Sequence, residues 1–125
     1  MVHKATRKII CTSFANGKQH DFKLFKRSKT RIQESTECLT DTGFLGLKKI
    51  HSNTSMPQKK SKNHPLTPED KRRNKELSSL RVLNEHVIGM IKRFKIVADK
   101  YRNRRKRFGL RFNLISGICN FELAI

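Results

Sequence analysis

Two acidic side chains in this sequence occupy positions from which a carboxylate can do chemistry. Glu85 lies in residues 77–94, LSSLRVLNEHVIGMIKRF. At about 100° per residue, helical spacing puts Arg81, Glu85 and Lys92 in one narrow sector. Leu80, Leu83, Val87, Ile91 and Phe94 fall on a separate apolar stripe. One face can bury while the other presents a carboxylate between two cations. The same spacing also suits a solvated i,i+4 pair of Arg81 with Glu85, contributing about 0.2–0.5 kcal/mol. Asp41 is the second acid. Residues 37–40 read as a short strand ending at Asp41, before Thr42-Gly43 breaks it. Open α/β sheets place chemistry at the C-terminal ends of strands. Asp-x-Gly is equally a common turn, so Asp41 as a simple turn initiator stands as the alternative.

The elements that must hold these residues follow from local signals. Thr67-Pro68-Glu69-Asp70 predicts a helix start. Thr67 caps the N3 amide, Pro68 loses no bond at the first position, and the acids suit the dipole. The predicted helix runs to about Ala98, with Lys71, Arg72, Arg73 and Lys75 making its first turns basic. Residues 101–107, YRNRRKR, form a dense cationic run. Residues 108–123 read as a second helix with Leu110, Phe112, Leu114, Ile115, Ile118 and Phe121 as apolar contacts. A basic run beside an apolar helix suggests phosphate contacts held on a packed base; a charged lead into the helix is the alternative. Nearer the N-terminus, residues 2–4 and 8–14 are short β candidates, and Ala15-Asn16-Gly17-Lys18 is a turn. Asp21 is expected to cap a short helix to about Arg27, and Met56 to end a short strand. Residues 52–65 form a polar, basic loop, able to follow phosphates or to serve as a solvated linker.

Composition sets the class. The 125 residues allow one domain at most, and 35% apolar content allows only a small core. A net charge of +19 directs the chain to polyanions, with DNA or RNA first and an anionic membrane surface second. No apolar run approaches the roughly 18 residues that span a bilayer, and the N-terminus lacks a signal-like core. The expected location is the cytoplasm. Cys11, Cys38 and Cys119 are odd in number and scattered, which argues against a disulfide framework or a zinc site; they read as small buried residues. His3, His20, His51, His64 and His86 also lack ligand spacing.

Three ordered segments resemble the DDE-class transposases of insertion sequences, whose catalytic domain is RNase H-like. They are GKQHDFKLF (17–25), TDTGFLGL (40–47), which is similar to the family's D-x-G-Y-x-G segment, and Arg81–x3–Glu85–x6–Lys92. The tail YRNRRKRFGLRFNLISGICN is also similar to the group's. The resemblance implies that Asp41 is the second catalytic aspartate and Glu85 the catalytic glutamate. Asp21 is the rival for the first of these roles, but it reads as a helix cap. Both acids would bind a divalent metal cation, Mg²⁺ or Mn²⁺, for which carboxylate oxygens are suitable ligands. Arg81 and Lys92 match the family's phosphate-contacting partners, and Arg93, Arg102, Arg104, Arg105 and Lys106 complete the expected DNA-binding set.

The chain also departs from that pattern. The family's first aspartate lies on a strand upstream, yet no Asp or Glu precedes Asp21 here. Phe44 and Ser78 stand where the family often has Tyr. The expected fold is therefore α/β and RNase H-like but incomplete. Its first catalytic strand is missing, short β strands open the chain and long helices close it. Residues 1–66 would supply strands, a short helix and the basic loop, and 67–125 the helical part with the catalytic glutamate. The expected function is DNA transposition by metal-dependent cleavage and strand transfer, with this polypeptide inactive alone. Expected partners are transposon ends and target DNA, an upstream-encoded N-terminal fragment, and further copies when complete, with no membrane. The setting would be a bacterial cytoplasm, at the nucleoid. A non-catalytic basic protein that binds nucleic acid, such as a small RNA-associated factor, is the competing class.

Overall fold

The longest element starts where its capping residues dictate. The Asp70 amide donates to Thr67 Oγ1 and the Thr67 amide donates to Asp70 Oδ2, both at 3.1 Å. This reciprocal pair is a capping box with aspartate in the third position. A computed structural model of the protein describes residues 1–99 and 105–125, with Arg105 described by its backbone alone. In it the helix, α3, covers Pro68–Lys92. It stops short of the expected Ala98. Phe94 leaves helical geometry at φ −82°, ψ 112°, and a separate short helix, α4, covers Lys95–Ala98. Neither Pro nor Gly marks the break. Phe94 packs against an apolar cluster instead, so tertiary contact overrides helical continuity.

The chain forms two compact units, Met1–Phe14 with Val82–Ile125, and Ala15–Arg81. In the first, Val87 and Ile91 of α3 meet Ile115 and Cys119 of α5 (Phe108–Glu122), each an i,i+4 pair on one helix face. Val2, Ile9, Met90, Phe94, Val97 and Phe112 surround this cluster. The expected N-terminal strands reduce to one antiparallel bridge, Val2 with Ile9. On the side of Ile9 away from Val2, α5 takes the backbone groups. The Ile9 amide donates to Asn120 Oδ1 at 2.7 Å, and Asn120 Nδ2 donates back to the Ile9 carbonyl at 2.8 Å. A side chain of α5 thus occupies the backbone groups that a neighbouring strand would use.

The second unit begins with α1, Asp21–Arg27. Its cap is His20, not the expected Asp21: His20 Nδ1 accepts from the Phe22 amide at 3.3 Å. Asp21 is the first helical residue, where its charge still meets the positive end of the dipole. Strand β1, Cys38–Leu39, runs parallel to β2, Thr54–Ser55, in the register Cys38↔Thr54 and Leu39↔Ser55. Met56 falls one residue beyond β2. Between the strands come a 3₁₀ turn, Thr42–Phe44, and α2, Leu47–Ile50. Leu47 is buried, and so is His51. The His51 Nε2 donates to the Thr36 carbonyl at 2.7 Å, and Thr54 Oγ1 donates to the His51 carbonyl at 2.6 Å. The basic loop is not wholly free: Gln58 and Asn74 of α3 exchange two hydrogen bonds, at 2.8 and 2.9 Å. The class is mixed α/β, with a two-stranded parallel sheet among several helices. No helix of the described residues is long and apolar enough to cross a membrane.

Candidate functional site

Asp41 follows β1 by two residues and is held on both carboxylate oxygens. Oδ1 accepts from the Gly43 amide at 2.9 Å, which caps the 3₁₀ turn. Oδ2 lies 3.8 Å from the Arg81 guanidinium. The two sequence readings of Asp41 are therefore both visible, since it ends a strand and starts a turn. A side chain on Gly43 would bring a Cβ to 3.0 Å from Asp41 Oδ1, so glycine is what lets the carboxylate fold back over the turn. Gly46 has φ +97°, which L side chains rarely adopt, and a Cβ there would meet the Phe22 ring at 3.3 Å. Phe44, between them, sets its ring edge-on to Phe22 and Phe25, with centroids 6.4 Å apart in both cases. The D-x-G-F-x-G spacing is thus a local geometry: one glycine for the carboxylate, one for the backbone, and a ring as anchor.

Arg81 pairs with Asp41, forty residues away, rather than with Glu85 one turn on. Both partners of this pair remain about two-fifths exposed. The pair alone contributes about 0–1 kcal/mol, because solvent screens it. Glu85 belongs to the other unit and is exposed on α3. Among the described residues no hydrogen bond or ion pair holds its carboxylate. Lys92 and Lys106 are exposed. Arg93 is tied to Glu122, and its guanidinium lies 5.0 Å from the Phe94 ring centroid. Arg102, Arg104 and the side chain of Arg105 fall outside the described residues.

The donor chemistry at Asp41 and Glu85 suits a hard divalent cation, since both offer carboxylate oxygens. Asp41 is fixed by its turn, while Glu85 is open to solvent. Among the described residues no group of three or more His, Cys, Asp or Glu gathers as a metal cage. A Mg²⁺-type site does not need one, because such ions are commonly held by one or two carboxylates with substrate phosphates and water. Sequence reasoning missed two buried polar groups of this unit. Thr40 Oγ1, next to Asp41 in the chain, is buried with no hydrogen-bond partner among the described residues. His51, dismissed for lacking ligand spacing, braces the β1–β2 crossover. The cysteines are free, with Cys119 buried and Cys11 and Cys38 partly so.

Comparison with known proteins adds the family context. A family model described as "DDE superfamily endonuclease" matches residues 1–120. A protein of Microchaete diplosiphon described as "Probable transposase for insertion sequence element IS702" is 45% identical over 125 residues, covering all of this chain and 45% of that protein. The chain therefore spans less than half the length of this relative. No solved structure gives a significant match.

Proposed function

Because the chain belongs to the DDE superfamily of endonucleases, we propose that it serves DNA transposition as part of an insertion-sequence transposase's catalytic domain. The observation that carries this reading is the Asp41 turn. A carboxylate at a strand end is locked by Gly43 and faced by Arg81, inside the segment that resembles the family motif. The family match does not favour the alternative, a non-catalytic basic protein that binds nucleic acid.

On this proposal Asp41 and Glu85 are the catalytic, metal-holding carboxylates, and the ion is Mg²⁺ or Mn²⁺. When bound, such an ion stabilises charge on the attacking and leaving oxygens of a phosphodiester. The protein's own part is positioning. The Gly43 amide fixes Asp41 in one orientation, so little entropy is lost when its free lone pairs take a ligand. The exposed Glu85 keeps its oxygens available. Arg81, Lys92 and Lys106 neutralise backbone phosphates, with Arg93, Arg102, Arg104 and Arg105 extending the cationic track. Arg93 must exchange Glu122 for phosphate to join them.

The proposal extends to architecture. The β1–β2 pair and α3 belong to an RNase H-like fold, with residues 1–66 as its strand-bearing part and 67–125 as its helical part. Two carboxylates stand where the family uses three, so the 125-residue polypeptide by itself does not cut DNA. A product of an upstream reading frame supplies the third, and the complete protein acts as a homo-oligomer on transposon ends and target DNA.

The test is cleavage. The polypeptide with Mg²⁺ or Mn²⁺ and element-end DNA should give no nicking. Co-expression with the upstream product should restore nicking that Asp41→Ala and Glu85→Ala each abolish. Cutting by the polypeptide alone, sensitive to Glu85→Ala, would overturn the claim of inactivity. Divalent-ion binding that both variants leave intact would overturn the assignment of the carboxylates.

A further inference from the structure

The basic loop before α3 is restrained along its whole length. All three prolines of the chain, Pro57, Pro65 and Pro68, fall within it or at its end, and each narrows the backbone freedom around it. The Asn74 side chain of α3 closes the loop on itself. It accepts from the Gln58 amide at 2.8 Å and donates to the Gln58 carbonyl at 2.9 Å. Between these ends the Ser61 amide donates to the His64 carbonyl at 3.2 Å, and the His64 amide donates to Ser61 Oγ at 3.1 Å. A tether that only spans distance needs none of these restraints.

What the restraints hold in place is charge. Residues 57–75 carry seven Lys and Arg against two acids. One of those acids, Asp70, is engaged in the helix cap. Lys59 and Lys60 directly follow the pinned Gln58. Lys71 and Lys75 share a flank of α3 with Asn74, within about 100° of it at helical spacing. All four lysines are exposed, and no ion pair among the described residues engages them. Arg72 lies on the far side of the helix, where Glu76 pairs with it at 3.8 Å.

The rest of the segment narrows what these cations face. Residues 57–75 contain no Phe, Tyr or Trp, so they offer no platform for the unstacked bases of a single strand. No large apolar side chain is exposed there, so nothing is available to enter a bilayer. The Asn74 amide, a group suited to an adenine edge, is occupied at both its oxygen and its nitrogen by Gln58. Ammonium groups held in place without base-reading partners match the phosphates of a duplex, whose charge is regular whatever its sequence. Because the loop is ordered beforehand, less freedom is lost on contact.

We propose that the Gln58–Asn74 clamp makes residues 57–75 a sequence-independent contact surface for duplex DNA. Lys59, Lys60, Lys71 and Lys75 meet the phosphates, and Asn74 is the positioning residue. This rests on the proposed role in transposition, and its residues are additional to the cationic track named there.

Fluorescence anisotropy of the full chain tests it, with an element-end duplex and an unrelated duplex over a range of NaCl. Single-stranded DNA, RNA and phosphatidylserine vesicles are the comparison ligands. Lys59→Ala with Lys60→Ala should weaken both duplexes alike and reduce the salt slope by about two. Asn74→Ala leaves the charge unchanged and should weaken both roughly fivefold, the ordering cost of one or two side chains. In the double-lysine background Asn74→Ala should have no further effect, as a residue acting through those lysines requires. Equal weakening in both backgrounds would make Asn74 merely structural and overturn its role. Unchanged affinity and salt slope in the double-lysine variant, with Arg81→Ala still weakening binding, would overturn this surface and leave the proposed function standing. A loss confined to single strands, RNA or vesicles would give the loop to another polyanion and overturn the proposal as well.

Discussion

The Arg81 guanidinium lies 3.8 Å from the Asp41 carboxylate. It therefore neutralises the acid proposed above to hold the metal, without the close bidentate contact that would lock the two together. A cation arriving at Asp41 and a phosphate arriving at Arg81 would each release one partner for the other. Arg81→Ala should change stability by less than about 1 kcal/mol, since the pair is exposed. It should weaken DNA binding evenly across sequences and reduce the salt slope by about one. Urea unfolding and DNA titrations at several salt concentrations check the two parts. A loss of stability well above that bound would mark Arg81 as structural.

The two glycines of the Asp41 turn should respond differently to the same change. Gly46→Ala forces a side chain onto φ +97° and against the Phe22 ring, and should destabilise by about 1–3 kcal/mol. Gly43→Ala meets only the Asp41 carboxylate. It should cost little stability but displace that carboxylate, lowering Mn²⁺ binding. Urea midpoints and Mn²⁺ titration together separate the cases.

Asn120 stands in for a strand at Ile9. Asn120→Ala leaves the Ile9 amide and carbonyl without their partner, and should destabilise by about 1–3 kcal/mol. Amide exchange at Ile9 should accelerate with it. Exchange as slow as in the parent would show that another group has taken the bond.

Burial raises the Cys119 thiol above its usual range, against a smaller opposing pull from Arg93, and burial likewise raises Cys38. The folded chain thus favours the protonated thiols. Their contribution to stability is complete below the unfolded thiol value of about 8.5 and declines as pH rises above it. The urea midpoint should fall between about pH 8 and pH 10, and a Cys119→Ala, Cys38→Ala variant should lose less over that range. Iodoacetamide should modify the buried Cys119 last, as mass spectrometry can follow.

The legible parts of this fold were those set by neighbours in sequence. Thr67-Pro68-Glu69-Asp70 announces α3 because every group in the capping box lies within three residues. The β1 strand and the α5 helix also lie within the predicted ranges, for the same reason. Contacts across the chain were not legible. The Asn120 side chain is 111 residues from Ile9, and nothing in residues 2–14 signals that it would replace a strand. The i,i+4 rule favours Arg81 with Glu85, yet Arg81 turns to Asp41. At the candidate site the sequence marked Asp41 and Glu85 by their surroundings, but not how Asp41 is aimed. That depends on Gly43, whose amide holds Oδ1.

The short parallel pair has its own consequence. The Cys38 amide donates to the Asn53 carbonyl at 2.9 Å and the Thr40 amide to the Ser55 carbonyl at 3.1 Å. Leu39, between them, points its peptide groups to the opposite border of the ladder, and its amide has no partner among the described residues. Any third extended segment that joins on that side must come into step with Leu39, so a single peptide unit fixes the phase of whatever strand is added there.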